Sequence, residues 1–111
     1  VRVLGKCGGN TSDVIDGMFW ATNKYESIPN NNPAKVLNMS LSSPSPCIPA
    51  HQDAINQLVA ESIIIVVGAG NNSVDLKDAL PASCKNVISV SASRPTESFA
   101  YYKNHGAATI T

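Results

Sequence analysis

Ile63-Ile64-Ile65-Val66-Val67 is an unbroken apolar run, and it stops at Gly68-Ala69-Gly70-Asn71-Asn72. Branching at Cβ restricts χ1 and favours the extended chain. Successive side chains of a strand point to opposite faces, so a strand that is apolar at every position is suited to burial on both. That pattern fits a parallel sheet covered on two sides better than a sheet with one wet face. The run is also the longest apolar stretch in the chain, and it is far too short to cross a bilayer.

The flanking segments supply the rest of such a sheet. Val1 to Leu4 reads as a short strand ending at Gly5, and Cys7-Gly8-Gly9-Asn10 as a loop. Ser12 or Asp13 can cap a helix. Val14, Ile15, Met18, Phe19 and Thr22 then fall on one face, which predicts a helix over roughly residues 13–25. Ile28-Pro29-Asn30-Asn31-Asn32-Pro33 cannot continue it and forms a polar loop. Lys35 to Ser40 is the next strand, and the Ser- and Pro-rich stretch Ser42 to Pro49 is loop. Ala54, Ile55, Leu58 and Val59 mark a second helix over roughly residues 50–61. After Ile63–Val67 a long loop leads to Cys84, Val87–Val90 is a further strand, and Phe99–Tyr102 is a candidate for another. Strand, helix, strand, helix, strand predicts an α/β fold with a parallel sheet and right-handed crossover helices. In such sheets chemistry gathers in the loops at the carboxyl ends of the strands. Here those loops are Gly5–Asn10, Ser40–Pro46 and Gly68–Ser73, all built from Gly, Ser, Asn and Pro with few exceptions.

The chain has 111 residues, enough for one small domain, and no internal repeat or domain boundary divides it. Apolar residues make up 43%, sufficient for a packed core. Eight basic side chains balance eight acidic ones, which gives no reason to expect nucleic acid or an anionic membrane as partner. No basic start leads into an apolar run, so no signal peptide is expected within these residues, and both ends read as cuts or processing sites. Cysteines stand at 7, 47 and 84 with no CxxC spacing. One bridge plus an orphan, or three buried thiols, are both compatible with that spacing.

Two strand ends point to a family. Asn38-Met39-Ser40-Leu41-Ser42 and Val66-Val67-Gly68-Ala69-Gly70-Asn71, in that order, resemble the subtilisin-like serine proteases, or subtilases. Val1-Arg2-Val3-Leu4-Gly5 resembles the family strand before these. Leu80-Pro81-Ala82 followed by Asn86-Val87-Ile88-Ser89-Val90 resembles the one after. Gly5-Lys6-Cys7-Gly8-Gly9 is most similar to the disulfide-bearing bacterial secreted branch. The resemblance covers nearly the whole chain and implies that residues 1–111 are a central fragment of a subtilase peptidase domain. It also implies a subtilisin-like three-layer fold, secretion to the extracellular space and a polypeptide substrate.

On that resemblance Asn71 is the oxyanion-hole residue, its amide donating to the negative oxygen of the tetrahedral intermediate. Ser40, Leu41 and Ser42 line the specificity pocket and pair with substrate backbone in strand fashion. Gly8 and Gly9 form the opposite edge, where glycine permits close backbone approach, and Ala69 and Gly70 form another pocket wall. The family usually has Gly where Ser42 stands, so a side chain there narrows the pocket or changes its polarity. The catalytic Asp, His and Ser lie outside the chain on the family pattern, so the isolated chain is expected to hydrolyse nothing. Asp13, Asp16 and Asp53 read as surface positions, and His51 and His105 as ordinary exposed histidines. No metal or other cofactor is expected within the chain. Asp75 and Asp78 are weak grounds for a calcium site, and calcium is left to the parent protein.

Four structural expectations complete the reading. A Cys7–Cys47 disulfide is expected, because both residues follow strands that should be neighbours. The resemblance implies that Cys84 pairs beyond Thr111, and that the Leu80–Pro81 peptide is cis. Sequential strands with right-handed crossovers put both helices on one face of the sheet. The other face, left to missing helices, is expected to make the chain self-associate. Two rival readings remain: a non-catalytic interaction domain on a subtilase-like fold, and a nucleotide-binding module using Gly68-Ala69-Gly70. The latter lacks a third glycine at Ser73, and Asn72 to Leu80 has no helical period to receive a pyrophosphate.

Overall fold

The computed structural model describes residues 1–25, 27–93, 104 and the short strand at 109–110. Helix α1 spans Thr11–Ala21 and α2 spans Pro49–Ala60. Strands β1 (Val36–Met39), β3 (Ile64–Gly68), β5 (Ile88–Val90) and β6 (Thr109–Ile110) form one parallel sheet in the order β1-β3-β5-β6. Strand β2 (Ser43–Pro44) pairs antiparallel with β4 (Ala79–Leu80) just outside it. The expected α/β class with a parallel sheet is what the chain adopts. The expected strand at Phe99–Tyr102 and His105 lie outside the described residues.

Helix α1 starts and stops earlier than its apolar spacing suggests. Asn10 is the N-cap, and its N–H is accepted by Asp13 Oδ2 at 3.3 Å. At the other end Asn30 Nδ2 donates to the carbonyls of Ala21 (3.0 Å) and Trp20 (3.3 Å), while Asn23 turns to φ 60. The polar loop thus takes over the orphan carbonyls that a longer helix would have used. Helix α2 has Pro at its first turn, where no N–H is needed, and it ends as Ser62 reaches φ 64.

The alternation within each strand sorts the core. Leu37, Met39, Ile65 and Val67 turn to one face, where they meet Val14 and Met18 from α1 and Ile55 and Leu58 from α2. Both helices therefore lie on the same side, α2 as the crossover between β1 and β3 and α1 by packing against the same core. Ser89 shares this buried side, and its hydroxyl donates to the Ala82 carbonyl. On the opposite face Val36, Ile64, Ile88 and Val90 are 40–53% exposed. The two-sided apolar pattern of Ile63–Val67 is thus answered by cover on one side only.

Two expectations are corrected here. Val1 to Leu4 joins no ladder: Gly5 and Gly8 close a tight bridged turn, and an apolar cavity of about 490 Å³ lies between residues 1–4, α1 and β1. Val3 still packs against the core, so the segment is held by side-chain contact rather than by backbone pairing. His51 is not exposed but 2% exposed. With Ala54, Ile55 and Leu58 it completes an i, i+3, i+4, i+7 set, the buried stripe of α2.

Among the described residues neither ring nitrogen of His51 has a hydrogen-bond partner. Burial lowers its pKa from the ordinary 6.5. Its place in the first turn of α2, near the positive end of the helix dipole, also disfavours a cation. The folded chain therefore binds the proton less readily than the unfolded one. Stability is full above about pH 6.5 and falls as acid drives the proton onto the unfolded state. A melting temperature that drops between pH 7.5 and about pH 5 is expected. His51→Leu, which keeps an apolar side chain on the buried face, should flatten the dependence that this residue contributes.

Candidate active site

Parallel pairing of β1, β3 and β5 brings three strand ends to one edge. There residues 40–42, 68–72 and 90–92 wall a cavity of about 420 Å³. Ser40 and Ser42 are exposed on its rim, and Leu41 is half-buried against the core. Asn71 is exposed on the opposite rim, and no hydrogen bond among the described residues engages its side chain. Ala69 is buried, and its N–H donates to the Val90 carbonyl at 2.8 Å, which fixes the loop to the next strand. Gly70 has φ +93, and a Cβ there would stand 2.5 Å from Asn104 Nδ2 and 2.8 Å from Ser42 Oγ. Only glycine meets both demands. Ser42 thus stands directly across the cavity mouth from Gly70.

A second cavity of about 260 Å³ adjoins the first, with Leu41 and Ser42 lining both. Its far rim is residues 8–11, so Gly8 and Gly9 face segment 41–44 across it. Gly8 has φ +97, which the tight turn from Gly5 requires. Pro81, joined to Leu80 through the expected cis peptide, lines this cavity together with His51. Every proposed substrate-contacting residue therefore borders one of two adjoining hollows.

A sequence model of the Subtilase family matches residues 1–110. The chain belongs to the subtilase family. It is 46% identical over 108 residues to an extracellular protease of Xanthomonas campestris pv. campestris, and 43% identical over 109 residues to an extracellular basic protease of Dichelobacter nodosus. Each match takes in 96% of this chain but only 19% and 18% of those relatives, so the chain spans about a fifth of their length. A solved protease structure from Pseudoalteromonas arctica superimposes with a TM-score of 0.92 at 40% identity, over 98% of this chain and 33% of that one. The sheet, its crossover helices and the strand-end loops are thus the subtilisin-like arrangement.

The disulfide of this subtilase segment differs from expectation. Cys47 is bonded to Cys84, with Cα atoms 4.9 Å apart, and Cys7 is a free, exposed thiol. Residues 1–4 form no strand beside β1, so nothing carries Cys7 towards Cys47. The β2–β4 pairing, with Pro44 opposite Ala79, brings the following segments together instead. Gln52 on α2 reinforces this, accepting from Lys85 N at 2.8 Å and donating to the Lys85 carbonyl at 3.2 Å. Cys84 consequently has its partner within the chain.

Two residues at the site escaped the sequence reading. His51 had a legible signal in its spacing to Ala54, Ile55 and Leu58. Asn104, 1% exposed and bonded to the Ala69–Val74 loop, lies in no motif and 30 or more residues from Asn72 and Val74. Among the described residues no three His, Cys, Asp or Glu side chains gather around a common point fit for a metal ion. Among the described residues no helix is long and apolar enough to cross a membrane.

The bridge closes a loop with a sequence separation of 37. Cys47→Ser with Cys84→Ser should cost about 3–4 kcal/mol of unfolding free energy on the chain-entropy account. Peptide mapping after alkylation without reductant should find the label on Cys7 alone. Label on Cys47 or Cys84 would contradict the pairing.

Proposed function

We propose that this chain is the central part of a secreted subtilisin-like serine endopeptidase domain, supplying the substrate-binding edges and the oxyanion donor. The catalytic Asp, His and Ser would come from elsewhere in the parent protein. The observation that carries the reading is the strand-end cavity with Asn71 on its rim and Ser40–Ser42 opposite. The names of the relatives, both extracellular proteases, support secretion and a polypeptide substrate.

In this reading an extended peptide runs between two edges, residues 8–9 and 40–42, adding a strand to the exposed backbone. The side chain preceding the cut enters the hollow between 40–42 and 68–71. Ser42 sets its width there, since its Oγ stands close to Gly70. Attack by a serine hydroxyl on the scissile carbonyl places negative charge on that oxygen. The Asn71 amide, exposed at the cavity rim and without a side-chain hydrogen bond among the described residues, donates to it. A preorganised donor stabilises the charge without the reorganisation that water must undergo.

In the full-length protein Asn71→Ala should lower kcat by about 10²–10³-fold with KM little changed, the size known for such a donor in a subtilisin. Unchanged kcat would remove Asn71 from the mechanism. A full-length protein that cleaves no peptide would favour the non-catalytic alternative.

The chain by itself, with Val36, Ile64, Ile88 and Val90 bare, should bury that face against a second copy. Light scattering on the isolated chain should give a dimer or larger species. A monomer at high concentration would contradict it.

A further inference from the structure

Asn104 has a wholly buried side chain, 1% exposed, at the base of the loop that carries Asn71. Its Nδ2 donates to the Ala69 carbonyl at 2.8 Å. Its Oδ1 accepts from the N–H of Asn72 and from the N–H of Val74, each at 3.0 Å. Its own backbone N–H donates to the Gly70 carbonyl at 3.0 Å. Four bonds thus reach residues 69, 70, 72 and 74, on both sides of Asn71, which borders the cavity. The clamp is itself anchored, since the Ser91 hydroxyl just beyond β5 donates to the Asn104 carbonyl at 3.2 Å.

The loop needs such an anchor. Gly70 and Ser73 both have positive φ, at 93 and 59, so two left-handed positions fall within four residues of a segment that lies past the end of β3 at Gly68. A carboxamide can satisfy two N–H donors with one oxygen and a carbonyl with its nitrogen, all from one planar group. No alcohol or hydrocarbon of similar size does so. The bonds lie at low exposure, where losing a partner leaves a polar group uncompensated.

We propose that Asn104 is a positioning residue for the reaction: it holds the backbone on both sides of Asn71 and so fixes where the Asn71 amide points. The inference rests on the oxyanion-donor role proposed for Asn71. Asn104 touches neither substrate nor reacting atoms; its effect on kcat is exerted through Asn71, while its bonds to the Ala69 and Gly70 carbonyls also steady that wall of the cavity. Displacing a catalytic group by about 1 Å can cost roughly 10²-fold, so a loosened loop should show its effect in kcat. Substrate binding along residues 8–9 and 40–42 does not pass through Asn104.

The test is a double-mutant cycle in the full-length protein, with active enzyme counted by titration with a serine-directed covalent inhibitor. Asn104→Ala should lower kcat by about 10–100-fold and leave KM within about threefold of wild type. In an Asn71→Ala background the same substitution should change kcat by less than about threefold, because the group it positions is gone. A purely structural role would reduce kcat by the same factor in both backgrounds, and that result would overturn the proposal. So would wild-type kcat in Asn104→Ala. If the alanine variant yields too little folded protein, Asn104→Asp carries the same cycle. It keeps the acceptor for Asn72 and Val74 and loses the donor to Ala69, and its kcat loss should likewise vanish in the Asn71→Ala background. A wild-type protein without peptidase activity would instead defeat the functional reading. An active protein indifferent to Asn71→Ala would defeat the oxyanion role.

Discussion

Strand β3 is paired on both sides, with β1 in register Val36↔Ile64 to Met39↔Val67 and with β5 in register Val66↔Ile88 to Gly68↔Val90. Everything placed at the site depends on these two parallel registers. They set Ser40 beside Gly68 at one strand end and Val90 beside Gly68 at the other, so that three loops open along one edge. A slip of one residue would turn Ile65 and Val67, now almost wholly buried, to the opposite face. The core under α1 and α2 therefore enforces the register, and the register enforces the geometry of the cavity. Packing and site are linked through the pleat itself.

The loops are then held by different means. Segment 43–47 is fastened to 79–84 by the β2–β4 pair and the Cys47–Cys84 bridge, with Gln52 tying α2 to Lys85. The 69–74 loop is fastened by the buried amide of Asn104 and by the Ala69 N–H to Val90 carbonyl bond. The Gly8–Gly9 edge is fastened least: a bridged turn and the packing of Val3 are what hold it beside α1. Backbone polar groups that leave a ladder must find other partners, and each loop meets that demand with a different side chain or pairing.

Much of this was legible in the sequence where local and global demands coincide. The apolar run at 63–67 stops where the strand must end, and Pro49 starts α2 within a residue of the position its apolar spacing gives. Errors arose where a distant partner decides the outcome. The end of α1 is set by Asn30, nine residues beyond Ala21, which helical spacing cannot register. The cysteine pairing is set by a two-residue strand pair, β2 with β4, too short to leave a pattern. His51 was misjudged because its polarity outweighed its position on the apolar stripe of α2. Asn104 gave no local sign, since its role comes from contacts with residues 69–74. The roles proposed for Asn71 and the pocket residues rest on the resemblance of two strand ends, because single Asn, Ser and Gly residues in loops are commonplace.

In the proposed function the two adjoining hollows together receive one extended peptide that ends at Asn71. A crystal structure of the full-length protein bound to a peptide aldehyde, which forms a tetrahedral adduct with a serine nucleophile, tests it most directly. The account predicts the peptide running between residues 8–9 and 40–42, with the adduct oxygen about 2.7–3.1 Å from Asn71 Nδ2. A peptide seated outside these edges, or an adduct oxygen more than about 3.5 Å from that nitrogen, would contradict it.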